Sequence, residues 1–214
     1  MKATQGVESE LKYGLTREEY FRLFRAHRDQ VLTAQEQVNF YFDDIHLNLR
    51  RLRIGLRIRF INAKRSVLTL KYPKTTEPTG LRALRVRAEY EAPLSTKTAK
   101  RIIAGKRDIL SLKCLPIRRL ARVYPIKRLC RLQALGSITT RRVVIPLNRK
   151  FQMELDQSKM FGKTFYELEV ETHRPTKADK AVHNLFWKYD ITYHPLRRSK
   201  LARFIEEWRL RQQP

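Results

Sequence analysis

The sequence has few cysteines and no long apolar run. Two of its 214 residues are cysteine, Cys114 and Cys130, too few for a disulfide framework and, by themselves, for a zinc site. No apolar run is long enough to cross a bilayer, and the N-terminal residues lack the apolar stretch of a secretion signal. The sequence therefore predicts a soluble cytoplasmic protein with reduced thiols and no membrane span.

Acidic residues are scarce as well. Aspartate and glutamate number 21 against 46 lysines and arginines, which gives a net charge of +25. This excess favours polyanionic partners such as nucleic acid or polyphosphate. The shortage is local, because residues 45–88 contain one carboxylate, Glu77, and residues 109–153 contain none. The acids collect near Glu8 and over residues 154–171, so a fold that joins the two ends would place an acidic patch beside a basic one.

The sequence does contain repeated alternation with a period of two. In the first such stretch, VESELKY, the side chains of Glu8, Glu10 and Lys12 project to one face of a strand. Short connections between the stretches favour an antiparallel sheet, and eight strands can close into a barrel without edges. The other predicted strands are QVNFYFDD, IGLRIRFI, SVLTLKY, LRVRAEYEA, SITTRRVVIPL, KFQMELDQ and TFYELEVET.

Helices are predicted between and after these strands. Thr16 and Glu19 have the spacing of a capping box at the start of the first helix, and apolar residues follow at helical spacing. Later helices are predicted to begin near Ser95, Thr176 and Ser199.

The middle of the chain has a different composition. Residues 108–135 are rich in leucine and arginine, and Pro116 and Pro125 interrupt them, which predicts short helices or irregular structure. We expect a single domain over residues 1–214, with a basic, irregular or helical insertion over residues 106–135.

Two arrangements of the sheet fit the alternation. The charged faces either point to water around a filled barrel, or line a wide barrel whose apolar faces point outwards. The second is favoured, because several helices carry apolar stripes that need an apolar surface to cover. Charges lining an interior require compensation, since buried like charges are costly, and a polyanionic ligand would supply part of it. The predicted class is α+β, mainly β: an eight-stranded antiparallel closed barrel with a charged interior and helices packed outside.

The order of these segments resembles the CYTH superfamily, the triphosphate tunnel metalloenzymes. The family's Glu-x-Glu-x-Lys signature matches Glu8, Glu10 and Lys12, and six further segments follow in the family's order, so the resemblance runs from Val7 to Phe204. It implies a tunnel-forming barrel and metal-dependent hydrolysis of inorganic triphosphate or an organic triphosphate, with release of phosphate. Some members of the family act instead as RNA 5′-triphosphatases or adenylyl cyclases.

The resemblance also implies roles for individual residues. Glu8, Glu10 and Lys12 would form the catalytic group, and oxygen ligands without a histidine cluster indicate Mg²⁺ or Mn²⁺. Arg85 and Arg87 either bind phosphate or balance neighbouring glutamates. The implied metal ligands are Glu8, Glu10, Asp156, Glu167 and Glu169. The implied phosphate-binding residues are Lys12, Arg57, Arg59, Lys71, Arg85, Arg87, Arg142 and Lys200.

The basic excess is larger than a triphosphate site needs. Much of it, including Arg118, Arg119 and Arg122, lies in the insertion, where it is either a solvated surface or a docking surface for a long polyanion such as polyphosphate or RNA. A non-catalytic protein that binds polyphosphate or nucleic acid, and a class IV-type adenylyl cyclase, remain alternatives to the triphosphatase. The sequence leaves the substrate, the native metal and the oligomeric state open, a dimer included.

Overall fold

The computed structural model of the protein describes residues 3–74, 80–124, 131–196 and 198–212. Glu77, Pro125 and Cys130 lie outside these ranges, as do Lys127 and Arg128, two further basic residues of the predicted insertion. Eight strands are present in the described part of the chain, and each contains a stretch that the alternation predicts. The strands are β1 (Thr4–Leu15), β2 (Thr33–Asp43), β3 (Gly55–Ile61), β4 (Arg65–Pro73), β5 (Leu84–Leu94), β6 (Gln133–Pro146), β7 (Gln152–Met160) and β8 (Lys163–Glu171).

The strands form one closed antiparallel sheet. Their order around the barrel is β1-β5-β4-β3-β2-β6-β7-β8. The predicted eight-stranded antiparallel barrel is therefore confirmed, and closure leaves no exposed sheet edge.

Six α-helices pack outside the sheet in the described part of the chain. Thr16 caps the first by accepting a hydrogen bond from the Glu19 amide, and the Glu19 carboxylate accepts one from the Thr16 amide, which confirms the predicted capping box. No described helix is long and apolar enough to cross a membrane. The helices are α1 (Arg17–His27), α2 (Asn48–Arg51), α3 (Thr96–Ile103), α4 (Leu115–Val123), α5 (Pro175–Lys188) and α6 (Lys200–Leu210).

The chain divides into two compact units, each with its own hydrophobic core. Unit 1 is drawn from Met1–Val7, Gln37–Lys74 and Arg87–Ile138, and unit 2 from Glu8–Glu36, Thr75–Val86 and Thr139–Pro214.

In unit 1, helices α3 and α4 cover the apolar face of β4. Leu68 and Leu70 of that strand are fully buried, and Ile102 and Leu120 pack against them from the helices. Burying one such side chain stabilises the fold by roughly 1.5–3 kcal/mol. The alternate residues of β4, which include Lys71, project from the opposite face of the sheet.

In unit 2, helix α5 packs on the apolar face formed by β1, β7 and β8. Tyr13 of β1 is fully buried and donates a hydrogen bond of 2.6 Å to Asp179 of α5, which also accepts one of 2.8 Å from Tyr193. Burial and the Asp179 carboxylate raise the pKa of Tyr13, so the phenol stays protonated. Because helices cover the apolar faces, the charged faces line the inside of the barrel, as the sequence predicts.

Two local predictions need correction. Pro116 does not interrupt a helix: it lies in the first turn of α4, where proline is tolerated because its missing N–H has no helical partner. Strand β6 begins at Gln133, so the last residues of the stretch predicted as helical or irregular belong to the sheet. Between β7 and β8, Phe161 and Gly162 both have positive φ, as a two-residue hairpin turn requires.

Candidate metal and phosphate site

Strand register places acidic and basic residues of unit 2 in two rows on the charged face of the sheet. Residues directly opposite each other on neighbouring strands point to the same face, so register brings their side chains together. The rows are Arg142–Asp156–Glu167 across β6, β7 and β8, and Glu154–Glu169–Lys12 across β7, β8 and β1.

Three carboxylates of these rows form a buried cluster that we call the acidic triad: Asp156, Glu167 and Glu169. Their exposed fractions are 0%, 1% and 4%, and one oxygen from each lies within 4.8 Å of the others. A divalent cation with oxygen ligands at about 2.0–2.6 Å spans ligand separations of up to about 5 Å, so the triad fits such an ion. Its oxygen donors are those that Mg²⁺ and Mn²⁺ prefer.

The ammonium group of Lys200 lies among the three triad carboxylates. Its Nζ is 2.7 Å from Asp156 Oδ2, 2.6 Å from Glu167 Oε2 and 2.5 Å from Glu169 Oε1. Ser199 caps α6 by accepting a hydrogen bond from the Ala202 amide, which fixes the first turn that carries Lys200. In this structure the lysine therefore supplies positive charge at the centre of the triad.

Arg142 links the triad to a further carboxylate. Its Nε and Nη2 donate to the two oxygens of Asp156 over 2.7 and 2.6 Å, and Nη2 also donates to Glu169 Oε2 over 2.8 Å. Its Nη1 contacts Glu154. Two parallel hydrogen bonds between a charged guanidinium and a charged carboxylate are the strongest kind of arginine–carboxylate contact. They fix the orientation of Asp156.

The signature residues of β1 lie beside the triad. Lys12 Nζ is 2.8 Å from Glu169 Oε1 and 3.2 Å from Glu10 Oε2. Both Lys12 and Glu10 are 8% exposed, and Glu8 is half-buried at the next alternate position of the strand. The structure thus brings Glu10 and Lys12 together with the predicted residues of β7 and β8.

The pKa values reflect this mixture of charges. Burial lowers the pKa of Lys200, but the triad carboxylates outweigh it and hold that pKa well above its usual range. Burial also lowers the pKa of Lys12 and of Arg142, but nearby carboxylates outweigh it and both pKa values are raised. These carboxylates include Glu10 and Glu169 for Lys12, and Asp156 and Glu169 for Arg142. Burial raises the pKa of Asp156 and Glu169, but the neighbouring cations outweigh it and the net shift is downwards. These groups therefore all carry their charges at neutral pH.

Glu154 behaves differently from the triad. Burial, with Glu169 and Asp156 nearby, raises its pKa to about 7, against the opposing effects of Arg142 and Lys200. Its carboxyl group therefore gains a proton near neutral pH.

Two residues of this site, Glu154 and Arg203, were not predicted from the sequence. Glu154 precedes Asp156 by two positions, so the same alternation could have identified it. Arg203 follows Lys200 by three positions and contacts Glu167, with its guanidinium 4.9 Å from the centre of the Phe165 ring. Residues three positions apart on a helix lie on the same face, so the spacing from Lys200 could have identified Arg203.

Unit 1 carries a second, more basic set of side chains on its charged face. Lys71 Nζ lies 3.1 Å and Arg57 Nη2 lies 3.8 Å from Glu89 Oε1. Arg59 Nε donates to the buried Asn39 Oδ1 over 2.8 Å. Lysine and arginine side chains are the donors from which phosphate oxygens most often accept hydrogen bonds in proteins.

The two arginines of β5 lie in different surroundings. Arg85 donates to main-chain carbonyls of Leu84 and Leu196, over 2.6 and 2.5 Å, and to that of Arg82. Arg87 is half-buried and lies opposite Pro73 in the pairing of β4 with β5.

Fold and site together define a class of protein: a closed antiparallel barrel whose charged face holds buried carboxylates beside lysines and arginines. The CYTH domain family matches residues 7–205, and the chain belongs to that family. No curated protein sequence matches the chain.

Solved structures share the fold along almost the whole chain. HpAC1 from Hippeastrum, an adenylyl cyclase candidate with a dominant triphosphatase activity, is 26% identical with a TM-score of 0.82, over 94% of this chain and 96% of that one. An adenylate cyclase candidate from Bacillus halodurans is 24% identical with a TM-score of 0.74, over 94% and 98%. The PH1819 protein of Pyrococcus horikoshii is 19% identical with a TM-score of 0.59, over 94% and 99%.

Proposed function

We propose that the protein is a metal-dependent triphosphatase that hydrolyses inorganic triphosphate or an organic triphosphate. The observation that carries the proposal is the acidic triad, three buried carboxylates with oxygens within 4.8 Å of one another, bordered by Lys12, Arg142 and Lys200. Buried carboxylates in such numbers are costly unless they bind cations. A divalent ion and a polyphosphate anion together would suit this mixture of charges.

In unit 2 we assign the metal ligands and part of the phosphate-binding set. Mg²⁺ or Mn²⁺ would bind the triad together with Glu8 and Glu10. Lys12 acts with these glutamates as the catalytic group, and it offers phosphate a compact cation held in place by Glu10 and Glu169. The remaining phosphate-binding residues of this unit are Arg85, Arg142 and Lys200.

In unit 1 we assign phosphate binding to Arg57, Arg59, Lys71 and Arg87. Arginine's planar fork binds two phosphate oxygens at once, and Asn39 holds the Arg59 fork in a fixed orientation. Oε1 of Glu89 contacts both Arg57 and Lys71, so its charge reduces the repulsion between these two cations while no anion is bound.

The chemistry asked of these residues is mainly charge neutralisation. Phosphoryl transfer proceeds through a loose transition state, so the protein positions the phosphate chain and stabilises its charge. A bound divalent ion polarises phosphate oxygens and increases the acidity of bound water. Cleavage of inorganic triphosphate consumes one water and yields pyrophosphate and phosphate.

Two comparisons support this proposal: the match to the CYTH family and the similarity to HpAC1. HpAC1, the relative at 26% identity, carries a dominant triphosphatase activity. Because HpAC1 is also a cyclase candidate, formation of cyclic AMP from ATP is the second activity to measure.

The test is phosphate release from inorganic triphosphate, ATP and thiamine triphosphate, with Mg²⁺, Mn²⁺ or EDTA. Wild type is compared with Glu10→Gln, which keeps the shape of a β1 glutamate and removes its charge. Glu206→Gln is the matched control, because Glu206 is an exposed α6 residue that pairs with Arg198 over 2.6 Å. We expect metal-dependent turnover that falls at least about 100-fold in Glu10→Gln, the size of loss typical of a charge-stabilising group.

Two other outcomes would replace the proposal. Cyclic AMP as the main product from ATP would identify a cyclase. Absence of turnover on all three substrates, with tight triphosphate binding that persists in EDTA, would identify a binding protein.

A further inference from the structure

The exposed face of helices α3 and α4 in unit 1 carries a cluster of cations that the proposed site does not use. Six of its residues are exposed: Lys97, Lys100 and Arg101 on α3, Lys113 before α4, and Arg118 and Arg122 on α4. We call them the helical basic surface. Among the described residues, none of the six forms an ion pair, whereas the exposed Arg198 pairs with Glu206 and Lys163 with Glu207 over 2.6 Å each.

This surface lies on the other side of the sheet from the phosphate-binding residues of the same unit. Helices α3 and α4 pack on Leu68 and Leu70 of β4, and Lys71 projects from the opposite face of that strand. The cations of the helical basic surface therefore cannot contact a phosphate held by Lys71. They need an anionic partner of their own, or they are simply solvated.

The arrangement of these charges lowers the stability of both helices. Arg118 and Arg122 are four positions apart on α4, and Lys97 and Arg101 are four apart on α3, so like charges lie next to each other and destabilise each helix slightly. Neither helix has an acidic residue in its first turn, where α1 has Glu18 and another glutamate. A bound polyanion would remove both costs.

We propose that the helical basic surface binds inorganic polyphosphate, a linear chain of phosphates joined by anhydride bonds. Charge complementarity selects a polyanion, since the surface carries no compensating carboxylate among the described residues of α3 and α4. The choice of polyphosphate rests on the proposed function, because its chain ends carry the same anhydride group as inorganic triphosphate. The existence of the surface does not depend on that function.

The composition of the surface disfavours single-stranded RNA. Proteins that bind single strands without sequence preference combine cations with exposed aromatic rings on which bases stack. In residues 96–124 and 131, the described part of this region, the one aromatic residue is Tyr124, and it is half-buried. The surface can thus bind phosphates but offers bases no exposed ring.

The test measures binding of fluorescently labelled long-chain polyphosphate in EDTA, where no metal-dependent turnover occurs. Arg118→Glu/Arg122→Glu is compared with Lys177→Glu/Lys180→Glu, which reverses two exposed lysines of α5 and changes the net charge equally. We expect the α4 variant to weaken binding at least about tenfold and to reduce the salt dependence by about two ions, while the α5 control stays within about threefold of wild type. Arg118→Gln/Arg122→Gln should give a smaller loss of the same kind.

Each alternative result has one meaning. Equal weakening by the α4 variant and the α5 control would overturn the proposal, because net charge alone would then explain binding. Tighter binding of a single-stranded RNA of matched charge would overturn the choice of polyphosphate. Triphosphate hydrolysis should be unchanged in the α4 variant, so loss of hydrolysis in wild type and loss of surface binding are separate failures.

Discussion

The Nζ atom of Lys200 lies 2.5 Å from Oε1 of Glu169, within the cluster of carboxylates that best fits a divalent ion. A lysine and a metal ion at this position compete for the same oxygens. The charge of Lys200 therefore stabilises the metal-free protein, and it opposes metal binding unless the side chain moves towards phosphate.

Replacing Lys200 by methionine should separate these effects. Lys200→Met leaves buried carboxylates without a central cation, so the metal-free protein should lose about 3–5 kcal/mol of unfolding free energy. Mn²⁺ should bind more tightly than in wild type and restore much of that loss. Urea unfolding in EDTA and calorimetric titration with Mn²⁺ measure the two quantities.

A matched lysine on the surface provides the control for this change. Lys163 pairs with Glu207 over 2.6 Å, but its side chain is 57% exposed, so Lys163→Met should cost less than about 1 kcal/mol. Equal losses in the two variants, or unchanged Mn²⁺ affinity in Lys200→Met, would contradict the competition.

Alternation along β1 was enough to predict that Glu8, Glu10 and Lys12 share the charged face of that strand. Asp156, Glu167 and Glu169 were predicted from the resemblance to the CYTH superfamily, and their roles as ligands stay predictions. The contacts themselves depend on register and on helix docking, which are properties of distant segments. The position of Lys200 inside the triad is the main example, because α6 reaches the triad from a separate part of the chain.

The pH dependence of stability should have an unusual sign between pH 5 and 8. Glu154 has a folded pKa of about 7 against an ordinary value of 4.5, so the folded protein binds the extra proton. Stability from this group is complete below about pH 4.5 and is lost as pH rises through about 7. Asp156 and Glu169 act oppositely, because their lowered pKa values stabilise the fold above their ordinary range and that stability is lost in acid.

The measurement is urea unfolding of the metal-free protein in EDTA at several pH values. Wild type should be most stable near pH 5, and Glu154→Gln, which mimics the protonated group, should flatten the decline up to pH 8. Glu206→Gln keeps the wild-type profile, since that carboxylate is exposed on α6. If the free energy of unfolding of Glu154→Gln still declines between pH 5 and 8, a group other than Glu154 causes the decline.

Close packing at Gly14 should make alanine unfavourable there. A Cβ atom at Gly14 would lie 2.8 Å from His194 Cδ2 and 3.2 Å from Leu196 Cδ2. The Gly14 amide also donates to the His194 carbonyl over 2.8 Å, and the Leu196 amide donates to that of Lys12 over 2.9 Å. Gly14→Ala must displace this segment, which leads into α6, and should cost roughly 1–3 kcal/mol.

The same strand offers the control for that substitution. Gly6 has no atom within 4 Å of an added Cβ, so Gly6→Ala should change the melting temperature little. Gly14→Ala should lower it, because the added Cβ displaces the segment from His194 to Leu196 that leads into α6. Equal melting temperatures for the two variants would show that the segment from His194 to Leu196 moves at no cost.

Asn39 should control triphosphate affinity through Arg59. Its Oδ1 accepts the 2.8 Å hydrogen bond from Arg59 Nε, and the two residues lie opposite each other on β2 and β3. Asn39→Ala frees the guanidinium, so KM for inorganic triphosphate should rise about three- to tenfold with kcat nearly unchanged, the change expected when uniform binding is lost. Asn39→Asp adds a competing carboxylate beside Arg59 and should raise KM further. Melting curves check that both variants are folded, and a KM equal to that of wild type in Asn39→Asp would remove Arg59 from the phosphate-binding set.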